Sequence, residues 1–508
     1  MKQLSGMDAS FLYMETATTV GHVSGLGIFQ LPDQPGWSPY EAMREKLARS
    51  IGDVEPMRRR LVEVPFGLDH PYWIDDPDFD LEFHVRNTAV PPPGRDDQLA
   101  NLVARLVARA MDRAHPLWEA YVIEGLRDDR FAVLVKVHHA TIDGAAGAEL
   151  IKIFYDAEPS DVGTGTGDRA DGEAAPRRER VPSPAQVLAT VVRDAAFKPG
   201  KFLRLQVRAA RAVGELTRNR GLTGLADLAR VIPNPVGAQV AARSERDADR
   251  APPPPENAAP STPFNGAISS HRRVALRSVD LGEIKAVKNA TSTTVNDVVM
   301  AVCAGALRNY LLDHQALPAS PLVAMVPVSI RTGEESDPWT NRVSAMFPLL
   351  PTTEAEPIER LRLAQQIMLD AKGRFSLVPA DVLTEYADFA PPALAIRAAR
   401  MASRLRLADR VGPPFNLVIS NVPGPRHPLW LGPAQLLHYF PVSTITESQG
   451  LNITVQSYCD KMDFGLVSAR ELVPDLEDLA DHIVAEVAVL AKAAAELGGE
   501  RAHRKTRA

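Results

Sequence analysis

The chain has 508 residues, 45% hydrophobic and 24% charged, enough for two large domains whose cores need no disulfides or metals. Lys and Arg number 57 against 63 Asp and Glu, and the formal charge of −6 excludes the global basic field of a nucleic-acid binder. Only two cysteines occur, Cys303 and Cys459, which excludes a disulfide framework and a four-thiolate metal site; each reads as a small buried hydrophobe.

The first twenty residues lack the basic stretch and apolar core of a secretory signal, and no run of 18 apolar residues follows anywhere. The expectation is an intracellular protein whose membrane contact is peripheral. Residues 98–111 place Leu99, Leu102, Leu106 and Ala110 at helical spacing. Residues 131–139 (FAVLVKVHH) are β-branched and apolar on both faces apart from Lys136, the pattern of an interior strand, and 145–155 reads as a helix. Residues 156–184 have almost no large apolar side chains and read as a solvated linker. The run Gly163-Thr-Gly-Thr-Gly167 inside it follows a helix rather than a strand, so it is not a phosphate loop.

Residues 185–243 are helical in pattern. Between Ala185 and Arg230 nine basic residues face three acidic ones, with Phe202, Leu205, Val213 and Leu216 interleaved. Two readings fit: an amphipathic segment lying on an anionic lipid surface, or helices packed on the protein with a solvated charged face. A polyproline-like spacer follows at 244–263, containing Pro252 to Pro255. The second half predicts a helix over 296–312, strands over 322–330 and 416–420, a strand pair at 452–457 and 462–468, and an Ala-rich closing helix over 477–497. Strands mixed with helices in both halves give an α/β protein.

The strand 131–139 ends in His138-His139-Ala-Thr-Ile-Asp143-Gly144. Alternation sends the two imidazoles to opposite faces, so one can serve chemistry while the other packs, and a two-histidine metal site is not expected. Asp143 precedes a helix and suits an N-cap or a clasp on the turn; Gly144 suits a tight approach of backbone.

His138-His139-Ala-Thr-Ile-Asp143-Gly144 matches the HHxxxDG motif of the coenzyme A-dependent acyltransferase superfamily, which includes chloramphenicol acetyltransferase and peptide-synthetase condensation domains. More narrowly, the chain resembles the bacterial wax ester synthase/acyl-CoA:diacylglycerol acyltransferase family. The matching stretches are Leu4-Ser-Gly-Met-Asp8-Ala-Ser-Phe11, Pro71-Tyr-Trp73, Phe79-Asp-Leu81, His84-Val85, Pro116-Leu-Trp118-Glu119, Glu124-Gly-Leu126, Val295-Asn-Asp297-Val298 and Asn421-Val-Pro-Gly-Pro425. They run in the right order over residues 4 to 490. Two departures stand out: the segment 185–263 is longer and richer in proline than the family pattern, and Asp463-Phe-Gly465 only partly matches the DFGWG element of a related plant family, so it receives no role.

The resemblance implies two chloramphenicol-acetyltransferase-like lobes with mixed sheets and a tunnel between them. The expected division is a first lobe at 1–160, a linker and basic insert at 161–263, a second lobe at 264–492 and a polar basic tail at 493–508. It implies an acyl-CoA-dependent O-acyltransferase that esterifies diacylglycerol and long-chain fatty alcohols, with acyl-CoA as substrate, no cofactor and no metal. His139 would be the general base, His138 a supporting residue, Asp143 the organiser of the turn, and Arg331 its partner. Asn296 is the candidate oxyanion donor, with helix capping as its alternative. Asn421 would contact substrate or hold a loop, Trp118 would line an acyl channel or pack, and Gly144 would lie against substrate. The site is expected in the cytoplasm, peripheral to the inner membrane face or to lipid inclusions, with no nucleic-acid partner. A carrier-protein-dependent condensation-type enzyme and a catalytically vestigial lipid-surface binder are the competing readings.

Overall fold

The computed structural model describes residues 1–141, 147–161, 180–195, 259–329, 343–375 and 413–506. Two mixed sheets organise them. The first-lobe sheet runs in the order β13 (Trp430–Leu431), β14 (Ala434–Val442), β2 (His22–Gln30), β7 (Arg130–His138), β6 (Trp118–Leu126), β5 (Val85–Ala89). Only the β5–β6 pair is parallel. The second-lobe sheet runs β10 (Val343–Met346), β9 (Leu322–Ser329), β12 (Leu417–Val422), β15 (Leu451–Tyr458), β16 (Lys461–Ala469), β8 (Arg272–Asp280), with β11 (Leu349–Leu350) also on β9. A small sheet of β1 (Lys2–Gln3), β4 (Tyr72–Asp75) and β3 (Arg59–Val62) flanks the first lobe.

Strand β7 is interior, and both its faces are covered, which is why it reads as continuously apolar. Val133, Val135 and Val137 pack with Phe29, Met43, Trp118 and Phe154. Ala132 and Leu134 pack on the other side with Leu26, Leu99 and Val103, the last two from the helix Asp96–Val107. In the second lobe the helices Leu281–Thr291, Val295–Asp313, Pro357–Phe375 and Leu476–Thr506 share one core with the sheet. Among the described residues no single helix is long and apolar enough to cross a membrane.

The lobes are not consecutive blocks of chain. Strand β14, from the last quarter of the sequence, pairs antiparallel with β2 and extends the first-lobe sheet, so the expected second lobe at 264–492 lends a strand to the first. The clamp that holds β14 to the second lobe is the Asp463-Phe-Gly465 element. Asp463, fully buried on β16, accepts the Tyr439 backbone N–H at 2.8 Å and pairs with His438 Nδ1 at 3.1 Å. A Cβ on Gly465 would stand 1.7 Å from the Pro441 carbonyl oxygen, so only glycine lets the two strands meet.

Other expectations shift in detail. The closing helix extends from Leu476 to Thr506, so most of the expected tail at 493–508 continues it. Cys303 is buried, but Cys459 is half-buried at φ +52° on the β15–β16 turn, donating its N–H to the Pro425 carbonyl, which corrects its reading as a core residue. Of the insert at 185–243, the helix Pro184–Ala195 is described; its Val187 packs with Val62, Val64, Tyr72 and Ile74. The remainder of that insert, the glycine run at 163–167, the polyproline run at 252–255 and Ile330 lie outside the described residues.

Candidate active site

Strand β7 carries the paired histidines to its end, and the alternation expected of them is realised. His138 is buried, whereas His139, one residue on, is partly exposed and stacks on Phe11 with ring centroids 4.0 Å apart. Three backbone bonds fix the turn. His138 N–H donates to the Leu117 carbonyl at 2.9 Å, His139 N–H to the Gly21 carbonyl at 2.9 Å, and Thr141 N–H to the His138 carbonyl at 2.9 Å. The Ala140 N–H donates to His138 Nδ1 at 3.0 Å, which leaves the proton of the neutral ring on Nε2.

That Nε2 lies 3.2 Å from Glu15 Oε1. Glu15 is the hub the sequence reading missed. It accepts the Gly21 N–H at 2.9 Å and Arg113 Nη2 at 2.7 Å, and Arg113 also donates to the Leu12 carbonyl. Burial alone would raise the Glu15 carboxyl, but His138, Arg113 and the Gly21 N–H outweigh it and bring it down to about 2. A Cβ on Gly21 would lie 2.6 Å from His138 Nε2, so a side chain there would displace the ring. The local signal for this hub was slight: one carboxylate, Glu15, followed by the threonine-rich Thr16-Ala-Thr-Thr19.

The loop that carries Glu15 is tied to the second lobe. Thr18 Oγ1 donates to Glu447 at 2.7 Å, Thr444 Oγ1 donates to the Val20 carbonyl at 2.8 Å, and Arg272 donates to the Thr18 carbonyl. The lobe joint thus reaches the histidine turn through a few covalent bonds of chain.

Beneath the turn sits the Pro116-Leu-Trp118-Glu119 element. Leu117 supplies the carbonyl that takes the His138 N–H. Trp118 is fully buried, donates its indole N–H to the Met57 carbonyl at 2.8 Å, and stacks on His84 at 4.4 Å. With no surface left over, it packs, the second of its two expected roles, and does not line a channel. Glu119 accepts Lys136 Nζ at 3.0 Å and the Tyr121 hydroxyl at 3.0 Å. Burial alone would raise the Glu119 carboxyl, yet Lys136 holds it below the usual range; burial lowers Lys136 in turn. His22, across β2 from His138, donates to the Val107 carbonyl at 2.9 Å and is held neutral by burial and by the Lys136 charge.

In the second lobe the structure brings two candidates together. Asn421 Nδ2, at the end of β12, lies 3.4 Å from Asn296 Oδ1, in the first turn of the helix Val295–Asp313. The capping role belongs to the neighbours instead: Thr294 Oγ1 accepts the Asp297 N–H, and Asp297 Oδ2 accepts the Thr294 N–H. Asn296 is therefore released from capping, and its Oδ1 accepts from Asn421 Nδ2. Asp143, Gly144 and Arg331 lie outside the described residues.

The histidine turn thus closes an interior strand of a two-lobed α/β protein whose second lobe lends β14 to the first. The solved wax ester synthase/diacylglycerol acyltransferase of Marinobacter aquaeolei VT8 is 28% identical and superposes with a TM-score of 0.65 over 97% of this chain and 100% of that one. Residues 4–299 match the wax ester synthase/diacylglycerol acyltransferase catalytic domain, and residues 339–491 match the C-terminal domain of the same family. The chain belongs to this family and is an acyltransferase. A probable diacylglycerol O-acyltransferase of Mycobacterium tuberculosis is 36% identical over 478 residues, spanning 94% of this chain and 96% of that protein. The O-acyltransferase WSD of Acinetobacter baylyi is 33% identical over 491 residues, 96% of each.

Proposed function

We propose that the protein transfers a long acyl chain from acyl-CoA to the hydroxyl of diacylglycerol, and also to long-chain fatty alcohols, with His139 as general base and with no cofactor or metal. The observation that carries this reading is the unequal fate of the two histidines. His138 is buried and bound by Ala140 N–H and Leu117 beside Glu15, whereas His139, its N–H on the Gly21 carbonyl and its ring stacked on Phe11, is only partly buried.

In the reaction, the His139 imidazole takes the proton of the acceptor O–H as the oxygen attacks the thioester carbonyl. The C–S bond then breaks, the thiolate takes the proton back from the imidazolium, and ester and free CoA leave. Asn296, steadied by Asn421, would donate to the tetrahedral oxyanion, and such a donor is typically worth about 10²–10³-fold. Asp143, Gly144 and Arg331 retain their proposed parts: organiser of the turn, backbone close to substrate, and partner of the carboxylate. The acceptors are water-insoluble, which supports work in the cytoplasm at the surface of a membrane or lipid inclusion.

The test is release of free CoA by the full chain, with chromatographic separation of the products. Release that requires both a long acyl-CoA and a lipid alcohol supports the reading. Transfer only from a carrier-bound phosphopantetheine thioester would replace it with condensation-type chemistry, and absence of any transfer would leave a lipid-surface binder.

A further inference from the structure

The loop between β3 and β4 holds the most exposed large apolar side chain among the described residues. Phe66 is 86% exposed, and Leu68, two residues on, is 58% exposed. Single exposed hydrophobes are ordinary, but this pair differs in how it is held. Phe66 has φ +62°, in the left-handed region that a bulky residue adopts only under constraint, and Gly67 follows at φ +64°. The constraint comes from a firm base. Gly67 N–H donates to the Val64 carbonyl at 3.1 Å, Leu4 N–H to the Pro71 carbonyl at 2.9 Å, and the Tyr13 hydroxyl meets His70 Nδ1 at 2.8 Å. Val62, Val64, Tyr72 and Ile74 form a buried cluster under the turn. The ring is thus presented to solvent by a strained backbone on a rigid support.

Two further features indicate what it meets. The buried cluster is completed by Val187 of the helix Pro184–Ala195, so this helix docks at the base of the turn. From the end of that helix onward the chain is basic by sequence: from Arg193 to Arg211 it has six Lys or Arg against one Asp. An apolar tip, in a chain whose sequence turns basic after the helix docked at the base of that tip, matches a bilayer that bears anionic headgroups, in which Phe and Leu enter the headgroup–acyl boundary.

We propose that the Phe66–Leu68 turn is the point at which the protein inserts into a phospholipid bilayer. The inference rests on the proposed lipid acceptor, since an enzyme whose acceptor sits in a lipid phase has to reach that phase. The full chain, with either the native turn or Phe66→Ser/Leu68→Ser, is sedimented with vesicles of equal parts phosphatidylcholine and phosphatidylglycerol. The double variant should partition roughly tenfold less or weaker still, as expected for losing two apolar anchors. Its turnover with a monomeric short-chain alcohol and short acyl-CoA should match the native turn, while turnover on vesicle-borne diacylglycerol falls. Phe66→Trp should keep binding, with indole emission shifting to the blue on vesicles. Equal partitioning of the double variant, or Phe66→Trp emission unmoved by vesicles that bind the protein, would overturn the inference. So would an oligomeric state that is lower for the double variant than for the native turn without vesicles, which would assign the turn to a second copy of the chain. Binding and emission are read without turnover, so failure of the acceptor reading shows separately, as vesicle binding with no transfer to any lipid alcohol.

Discussion

Replacing Glu15 by glutamine perturbs the histidine turn with the least change of shape. The carboxyl falls from its ordinary 4.5 to about 2 in the folded protein, a difference worth about 3 kcal/mol in favour of the ionised form. Because the folded value is depressed, this contribution is complete above pH 4.5 and is lost as pH falls through about 2. Glutamine can still accept the Gly21 N–H but offers Arg113 no charge, so Glu15→Gln should cost about 2–3 kcal/mol at pH 7. Urea unfolding of both proteins from pH 7 down to pH 2 measures it. The gap between them should be widest near neutrality and close between 4.5 and 2. A gap that is constant with pH, or absent at pH 7, would refute the role given to this carboxylate. Turnover should fall with KM unchanged, since Glu15 touches His138 and the backbone of the turn.

Three other changes follow from the packing. Glu119→Gln leaves the fully buried Lys136 without its counter-charge and should cost about 3–5 kcal/mol by denaturant titration, whereas Lys136→Met with Glu119→Leu should cost less. Gly465→Ala drives a methyl into the Pro441 carbonyl, a backbone atom that no rotamer relieves; thermal melting should show a loss of at least about 2 kcal/mol. Trp118→Ala removes a core ring stacked on His84 and should cost about 3–5 kcal/mol while the preference for acyl-chain length stays fixed; an altered chain-length profile would restore Trp118 to the channel wall.

Local signals in the chain read well. Strand β7 announced itself by unbroken apolar residues because both its faces are covered, and β15 and β16 by alternation about a short turn. The opposite fates of His138 and His139 followed from strand geometry alone. What stayed hidden was non-local. Nothing in Ala434–Val442 tells that it pairs with β2 more than 400 residues earlier rather than with its own lobe. Asp463 and Gly465 could not be given a role without knowing that this crossing strand lies against them. Glu15 was silent for the same reason, since its partners Gly21, Arg113 and His138 converge only once the fold is formed. Trp118 was legible as aromatic, but whether it faces a channel or a core depends on His84 and Met57, from other parts of the chain.

The account stands most directly on His139. Single-turnover CoA release by His139→Ala, with a melting curve to confirm the fold, should show turnover reduced by roughly 10²–10⁴-fold with substrate affinity preserved. A folded His139→Ala protein that releases CoA at near-native rates would contradict it.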